Sequence, residues 1–264
     1  MNVATPYIEF ARKAFARSAT YRFEVFTDVG SFLLRIYLLR SLWTALYAQN
    51  AAPPGLPLHA IVTYSTVALL MSLVLEVDGT RQIQTRVREG SIATDLMKPI
   101  SLPLFFFSDG FGETVFHGLT IVPSLALALL LVRVDVPSFP TLLAFAVAFG
   151  LGYLVNFLIN FLMNAVAFWT LETQAIQMSV RWASDLLSGQ IVPLSLFPGI
   201  FGRIVESTPF AAIYSIPLEI YIGQIPPARY AAALSMQLGW LAFFAVAAIF
   251  VWRSAERRVV VQGG

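Results

Sequence analysis

Long apolar runs alternate along the chain with short polar or proline-rich breaks, and the length of the runs decides its class. A membrane-spanning helix needs about 20 consecutive apolar residues. Six stretches read as spans: 26–47, 58–77, 102–132, 141–169, 174–191 and 231–252. The third is long enough to tilt or to begin outside the bilayer. The fifth is the weakest, because Arg181 and Asp185 lie inside it. AAPPGLP at 51–57 and VRVDVPSFP at 132–140 read as turns. Residues 192–228 are apolar yet broken by Pro193, Pro198, Pro209, Pro217, Pro226 and Pro227, which no single helix tolerates. Ahead of the first span, Ile8, Ala11, Phe15 and Ala19 recur at helical spacing while Arg12, Lys13 and Arg17 point elsewhere, so residues 1–22 read as an amphipathic N-terminal helix lying in the interface or leading into the first span. The expected fold is therefore all-α, a single six-span membrane domain over residues 1–264, without internal repeats.

Charge placement orients this domain. Arg12, Lys13, Arg17 and Arg22 precede the first span, Arg81, Arg86, Arg88 and Lys98 fall between the second and third, and Arg253, Arg257 and Arg258 follow the last. With six spans all three groups share one side, which the positive-inside rule makes cytoplasmic, together with both termini. The other side keeps Arg133, Arg203 and Arg229. Composition agrees: 58% of the 264 residues are hydrophobic and 12% charged, against about 25% charged in soluble domains. A net charge of +2 gives no footprint for nucleic acid, and the lack of cysteine excludes disulfides and thiolate chemistry.

Four features are candidates for function. The segment DGTRQIQTRVREGSIATDLMKP at 78–99 reads as two short helices forming a cytoplasmic elbow. Asp78 is expected to cap the first, Gly90 to end it, Ser91 to cap the second and Pro99 to stop it, with Ile83 and Val87 on one apolar face. A charged loop that only sets topology is the alternative. Asn156, Asn160 and Asn164 form a polar stripe at spacing four in the fourth span, either bonding neighbouring helices or lining a pathway. Arg35 lies near mid-span with Asp28 two turns earlier on the same face, so it is expected either to pair with a partner or to line a pathway, with pairing favoured. Asp109, Glu113 and His117 share a face, but no second cluster completes a metal site, so an ion-pair role is expected. No P-loop, G-x-S-x-G or H-E-x-x-H motif occurs, so no enzyme and no bound cofactor is expected of this chain.

TYRFEVFTDVGSFL followed by SLWTALY, the segment RVREGSIATDLMKPISLPLF, and above all LLSGQIVPLSLFPGIFGRIVESTPFAAIYSIPLEIYIG resemble the type-2 ABC exporter permeases over nearly the whole chain. That resemblance implies two permeases, identical or related, pairing in the bacterial inner membrane to form the substrate pathway. It implies ATP bound by separate ATPase subunits docked on the cytoplasmic face. The elbow at 78–100 would couple the two, with Arg81, Arg86, Arg88, Glu89, Asp95 and Lys98 in its contact region, and residues 192–228 would form outer re-entrant helices. The competing class is an ion-coupled secondary transporter or channel, for which Asp109, Glu113 and Asp185 are the candidate carboxylates.

Overall fold

The computed structural model describes residues 5–20, 22–49, 56–170 and 173–262. Residues 1–4 of the N-terminal helix, most of the turn at 51–57 and the Arg22 side chain lie outside what is described. Among the described residues the regular structure is entirely helical. In chain order the helices are α1 (Thr5–Ser18), α2 (Arg22–Ala48), α3 (Leu58–Leu75), α4 (Gln82–Arg88), α5 (Ile92–Leu96), α6 (Leu102–Gly118), α7 (Ile121–Leu131), α8 (Phe139–Ala165), α9 (Gln174–Leu187), α10 (Gly199–Glu206), α11 (Ser215–Tyr221) and α12 (Tyr230–Gln262).

Five helical stretches are long and apolar enough to cross a membrane: Val25–Ala48, Leu58–Leu75, Leu102–Leu131, Phe139–Phe168 and Pro227–Val259. They match five of the six expected spans. The exception is 174–191, where α9 has 14 residues. At about 1.5 Å per residue it reaches about 21 Å, short of a hydrocarbon core of about 30 Å. Gly189, at φ +84°, ends it. Gln177, Arg181, Ser184 and Asp185 share one polar face, while Trp182 and Leu186 are exposed on the other. The third stretch is two helices broken at Leu119–Thr120. Pro123 lacks the N–H that would reach the Leu119 carbonyl, which accepts from the Val122 amide at 3.3 Å instead, while the Thr120 hydroxyl donates to the His117 carbonyl.

The ends of the bundle are well defined by contacts. At one end Trp252 of α12 meets Phe106, Phe161 and Phe168 at 5.6–6.0 Å, and Ile83 and Ile92 of the elbow join the same core. At the other end the Tyr230 hydroxyl, at the start of α12, approaches Thr141 at the start of α8. The chain therefore passes from the elbow end at Phe168 to the opposite end at Tyr230 through α9, α10 and α11. That passage runs deep. Tyr64, within α3, donates to the Gly189 carbonyl at 2.6 Å. Gly152 of α8 lets the Ile213 carbonyl approach so closely that a Cβ there would lie 2.8 Å from it. Buried Gln237 of α12 donates to the carbonyls of Ala148 and Ala212 at 2.9 and 2.7 Å, tying α8, α12 and the chain entering α11. Ala211–Leu218 is consequently buried throughout.

Candidate functional site

The elbow is built as one body. Arg86 bonds Asp95 across the two helices, and Lys98 reaches the other Asp95 oxygen at 2.6 Å. The Arg86 guanidinium also donates to Gln82 and lies over the Phe105 ring at 5.1 Å. Burial pushes the Asp95 carboxyl up, but hydrogen bonds from Lys98 and Arg86 and their charges outweigh it, so the group sits below the ordinary carboxylate value. Gly90, at φ +73°, makes the left-handed turn between the helices. The capping expectations need correction. Asp78 accepts from the Thr80 amide and hydroxyl, forming a turn one step before α4. Arg81 occupies the α4 N-cap without a side-chain cap bond, and the Ser91 hydroxyl points back to the Arg86 carbonyl. Of the six residues singled out, Arg86, Asp95 and Lys98 thus hold the elbow together, whereas Arg81, Arg88 and Glu89 are exposed. The apolar stripe of Ile83, Val87 and Ile92 faces the bundle. Met97 is 83% exposed on the outer surface.

A second junction fastens α1 to this unit. Asp109 of α6, nearly buried, accepts from Arg17 of α1 at 2.8 Å and from Gln82 of the elbow at 2.8 Å. Gly112 meets the Ala11 backbone, where a Cβ would lie 2.0 Å from the carbonyl oxygen, and Gly79 and Gly110 touch backbone to backbone in the same way. Phe10 packs on Phe105, Phe15 on Phe116, and the Tyr7 hydroxyl accepts from the Ser101 amide. Asp109 therefore carries an ion pair, and His117 faces Asp28 at 3.3 Å. Among the described residues no cluster could hold a metal ion.

Behind the elbow two cavities of about 710 and 530 Å³ meet at Arg35, Leu69, Glu76, Asp78 and Arg181. Arg35 lies 3.8 Å from Glu76, so its partner is the end of α3 and not Asp28, which turns to His117 on α6. Both Arg35 and Glu76 are half exposed, and such a pair contributes about 0–1 kcal/mol, too little to act as a lock. The asparagine stripe divides its labour. Asn156 donates to the Leu75 carbonyl at 2.7 Å. Asn164, buried, donates to Thr80 at 2.9 Å and to Asp78, and accepts from Gln177 of α9 at 2.9 Å. Asn160 lines the second cavity and makes no side-chain bond among the described residues.

These placements give a prediction. Asn164→Leu removes hydrogen bonds to Thr80 and Asp78 and from Gln177, each worth about 1 kcal/mol. Thr80 and Asp78 keep each other and Gln177 keeps Gln84, so unfolding in detergent should occur about 2 kcal/mol more easily. Asn160→Leu should leave stability unchanged and alter only transport. Thermal unfolding of the two purified variants measures the difference.

Several participants carry no sequence signal on their own. Arg17, Gln82, Glu76 and Gln177 are ordinary polar residues until the fold sets them against Asp109, Arg35 and Asn164.

Comparison with known proteins bears on this arrangement. The sequence model of a family described as ABC-2 family transporter protein matches residues 33–263. No curated protein matched the chain.

Proposed function

The chain belongs to the ABC-2 transporter family and is a membrane permease of that family, and from this premise we propose that it is the membrane half of an ATP-driven exporter. Two permease subunits would pair to enclose the polar cavities, and ATP would be bound and hydrolysed on separate ATPase subunits docked at the elbow. One observation carries the coupling role: the elbow is an ion-paired body, seated on the ends of α6, α8 and α12, with Arg88, Glu89 and Met97 turned outward. An element that transmits force must be stiff and must be joined to more than one span. Arg17, Asp109 and Gln82 extend the same body to α1.

Pairing is supported by the cavity walls. Arg35 of α2 and Arg181 and Asp185 of α9 line the cavity on helices whose outer faces carry exposed Leu34, Tyr37 and Trp182. Charges facing hydrocarbon are costly, so a second permease across α2 and α9 keeps them in contact with protein or water. Orientation follows the basic groups. The elbow, Arg253, Arg257 and Arg258 gather at one end of the bundle, which we assign to the cytoplasm with both termini. The sixth crossing is then composite, running from α9 at the elbow end through the buried α11 segment to Tyr230. Irregular backbone at that depth is tolerable because it is enclosed by α3, α8 and α12.

The test is co-purification. Arg81→Glu with Arg88→Glu reverses two exposed charges and leaves the Arg86–Asp95 pair alone. Exposed ion pairs contribute about 0.2–1 kcal/mol each, so the double change should weaken ATPase retention by about fivefold or more. A cysteine at Thr85, labelled with an impermeant reagent in opened but not intact cells, confirms that insertion is unchanged. Full retention by the correctly inserted variant would reduce the elbow to a topology loop.

A further inference from the structure

A third cavity, of about 490 Å³, lies away from the polar pair, in the groove between the start of α6, α8 and the last third of α12. We propose that it is a binding site for an anionic phospholipid of the leaflet on the elbow side, with an acyl chain in the groove and the phosphate on Arg253.

The groove has the build of an amphiphile site. Its floor is apolar and sealed: Phe161, Leu102, Ala248 and Trp252 are each under 10% exposed. Phe157 and half-exposed Ile249 form its sides, so it opens toward hydrocarbon. Its volume falls within the range of small-ligand pockets, about 300–1,000 Å³. Polarity enters only at the elbow end, through Ser101, Arg253 and Glu256. Glu256 is committed, since its carboxylate accepts from the Trp252 indole N–H at 2.5 Å. Arg253 is exposed and makes no hydrogen bond or ion pair among the described residues. Arg257 lies one turn beyond it on the same face.

Charge complementarity selects the occupant. An unpartnered guanidinium at the membrane surface, above a hydrocarbon slot, offers a bidentate donor to a phosphate held at that depth. Basic residues at the cytoplasmic surface attract acidic lipid at about 1 kcal/mol each, which a zwitterionic headgroup forfeits because its own cation faces the same arginines. The fixed Glu256 carboxylate leaves Arg253 as the side of the rim that an anion can approach. Leu96 and Ile100, at the end of the elbow, form part of the wall. A bound chain would therefore brace the elbow against α12, making exporter coupling depend on acidic lipid. Occupancy itself requires only that the apolar helices lie in a bilayer, and it stands whether or not an ATPase docks at the elbow.

The experiment uses the full chain in nanodiscs of mixed phosphatidylglycerol and phosphatidylcholine, with lipids that remain bound after detergent extraction counted by mass spectrometry. Wild type should retain phosphatidylglycerol in preference to phosphatidylcholine. Arg253→Gln should cut that preference about fivefold, the equivalent of about 1 kcal/mol, and Arg253→Lys should keep most of it. Ala245→Trp, which fills the groove without touching a charge, should lower retention of both lipids. Arg229→Gln, at the opposite end of α12, should change nothing. Excess inorganic phosphate should not displace the lipid; displacement would mean a free-anion site and overturn the proposal. Equal retention of the two lipids by wild type would also overturn it, as would an unchanged preference in Arg253→Gln or an unchanged amount of retained lipid in Ala245→Trp.

Discussion

Gly112→Ala is expected to loosen α1 from α6, with a loss of about 3 kcal/mol, although the change adds one methyl group. The added Cβ would lie 2.0 Å from the Ala11 carbonyl oxygen and 2.8 Å from its Cα. These are backbone atoms, so no rotamer change relieves the clash and the two helices must move apart. Overpacking of this kind costs about 1–3 kcal/mol, and here the separation also reaches the Phe10–Phe105 and Phe15–Phe116 contacts and the Arg17–Asp109 pair, placing the effect at the upper end. Gly30→Ala in α2 is the control. Nothing lies within 4 Å of its Cβ position, and alanine is favoured over glycine in a helix by about 1 kcal/mol, so it should be neutral or stabilising. Trypsin should cut the Gly112 variant early at Arg12, Lys13 and Arg17 while sparing the Gly30 variant. Equal protection of the two variants would refute the close approach.

Arg86→Glu should unfold the elbow while leaving the spans intact. The Asp95 side chain is 7% exposed and depends on Arg86 and Lys98 for its charge. Removing one partner of a buried pair costs about 3–5 kcal/mol. Arg86 is itself 29% exposed and Lys98 remains, so about 2–3 kcal/mol is the expected loss. The elbow has little with which to absorb this, since α4 and α5 have seven and five residues and isolated helices that short do not persist in water. Hydrogen exchange should accelerate across residues 82–98 and stay slow in α8. Acid should imitate the mutation. Because the folded Asp95 carboxyl lies below its unfolded value, its contribution is complete above about pH 4 and disappears as pH falls through the lowered folded value. Arg88→Glu, exposed and unpaired with Asp95, should leave exchange unchanged, and matching acceleration in both variants would contradict the assigned roles.

What could be read from sequence follows physical range. Hydrophobic run length is local, and it located four spanning helices to within two residues. The last runs seven residues past its expected end, because the apolar run stops at Trp252 and the helix continues through the polar stretch 253–258. The fifth expected span was misjudged because run length is blind to amphipathicity: the apolar residues of 174–191 lie on one side of α9, and Gln177, Arg181, Ser184 and Asp185 turn the other toward the cavity. Gly90 and the inward Ile83 and Val87 were legible for the same local reason. Pairings were not. Asp28 stands two turns from Arg35 in sequence, yet α6 brings His117 to one and α3 brings Glu76 to the other. The basic residues of the elbow looked equivalent on a linear chain. Only the fold separates Arg86, spent on Asp95 and Phe105, from Arg88, which faces outward.

The central claim, that this elbow receives an ATPase, is tested most directly by crosslinking from its most exposed apolar residue. The chain has no cysteine, so Met97→Cys carries a photo-reactive maleimide at a single site, 83% exposed in the native residue. Irradiation of native membranes should yield an adduct whose partner peptide, identified by mass spectrometry, belongs to a protein carrying a G-x-x-x-x-G-K-[ST] loop. Arg81→Glu with Arg88→Glu should remove that adduct. Adducts confined to lipid or to a second copy of the chain, from membranes that still export, would contradict the account.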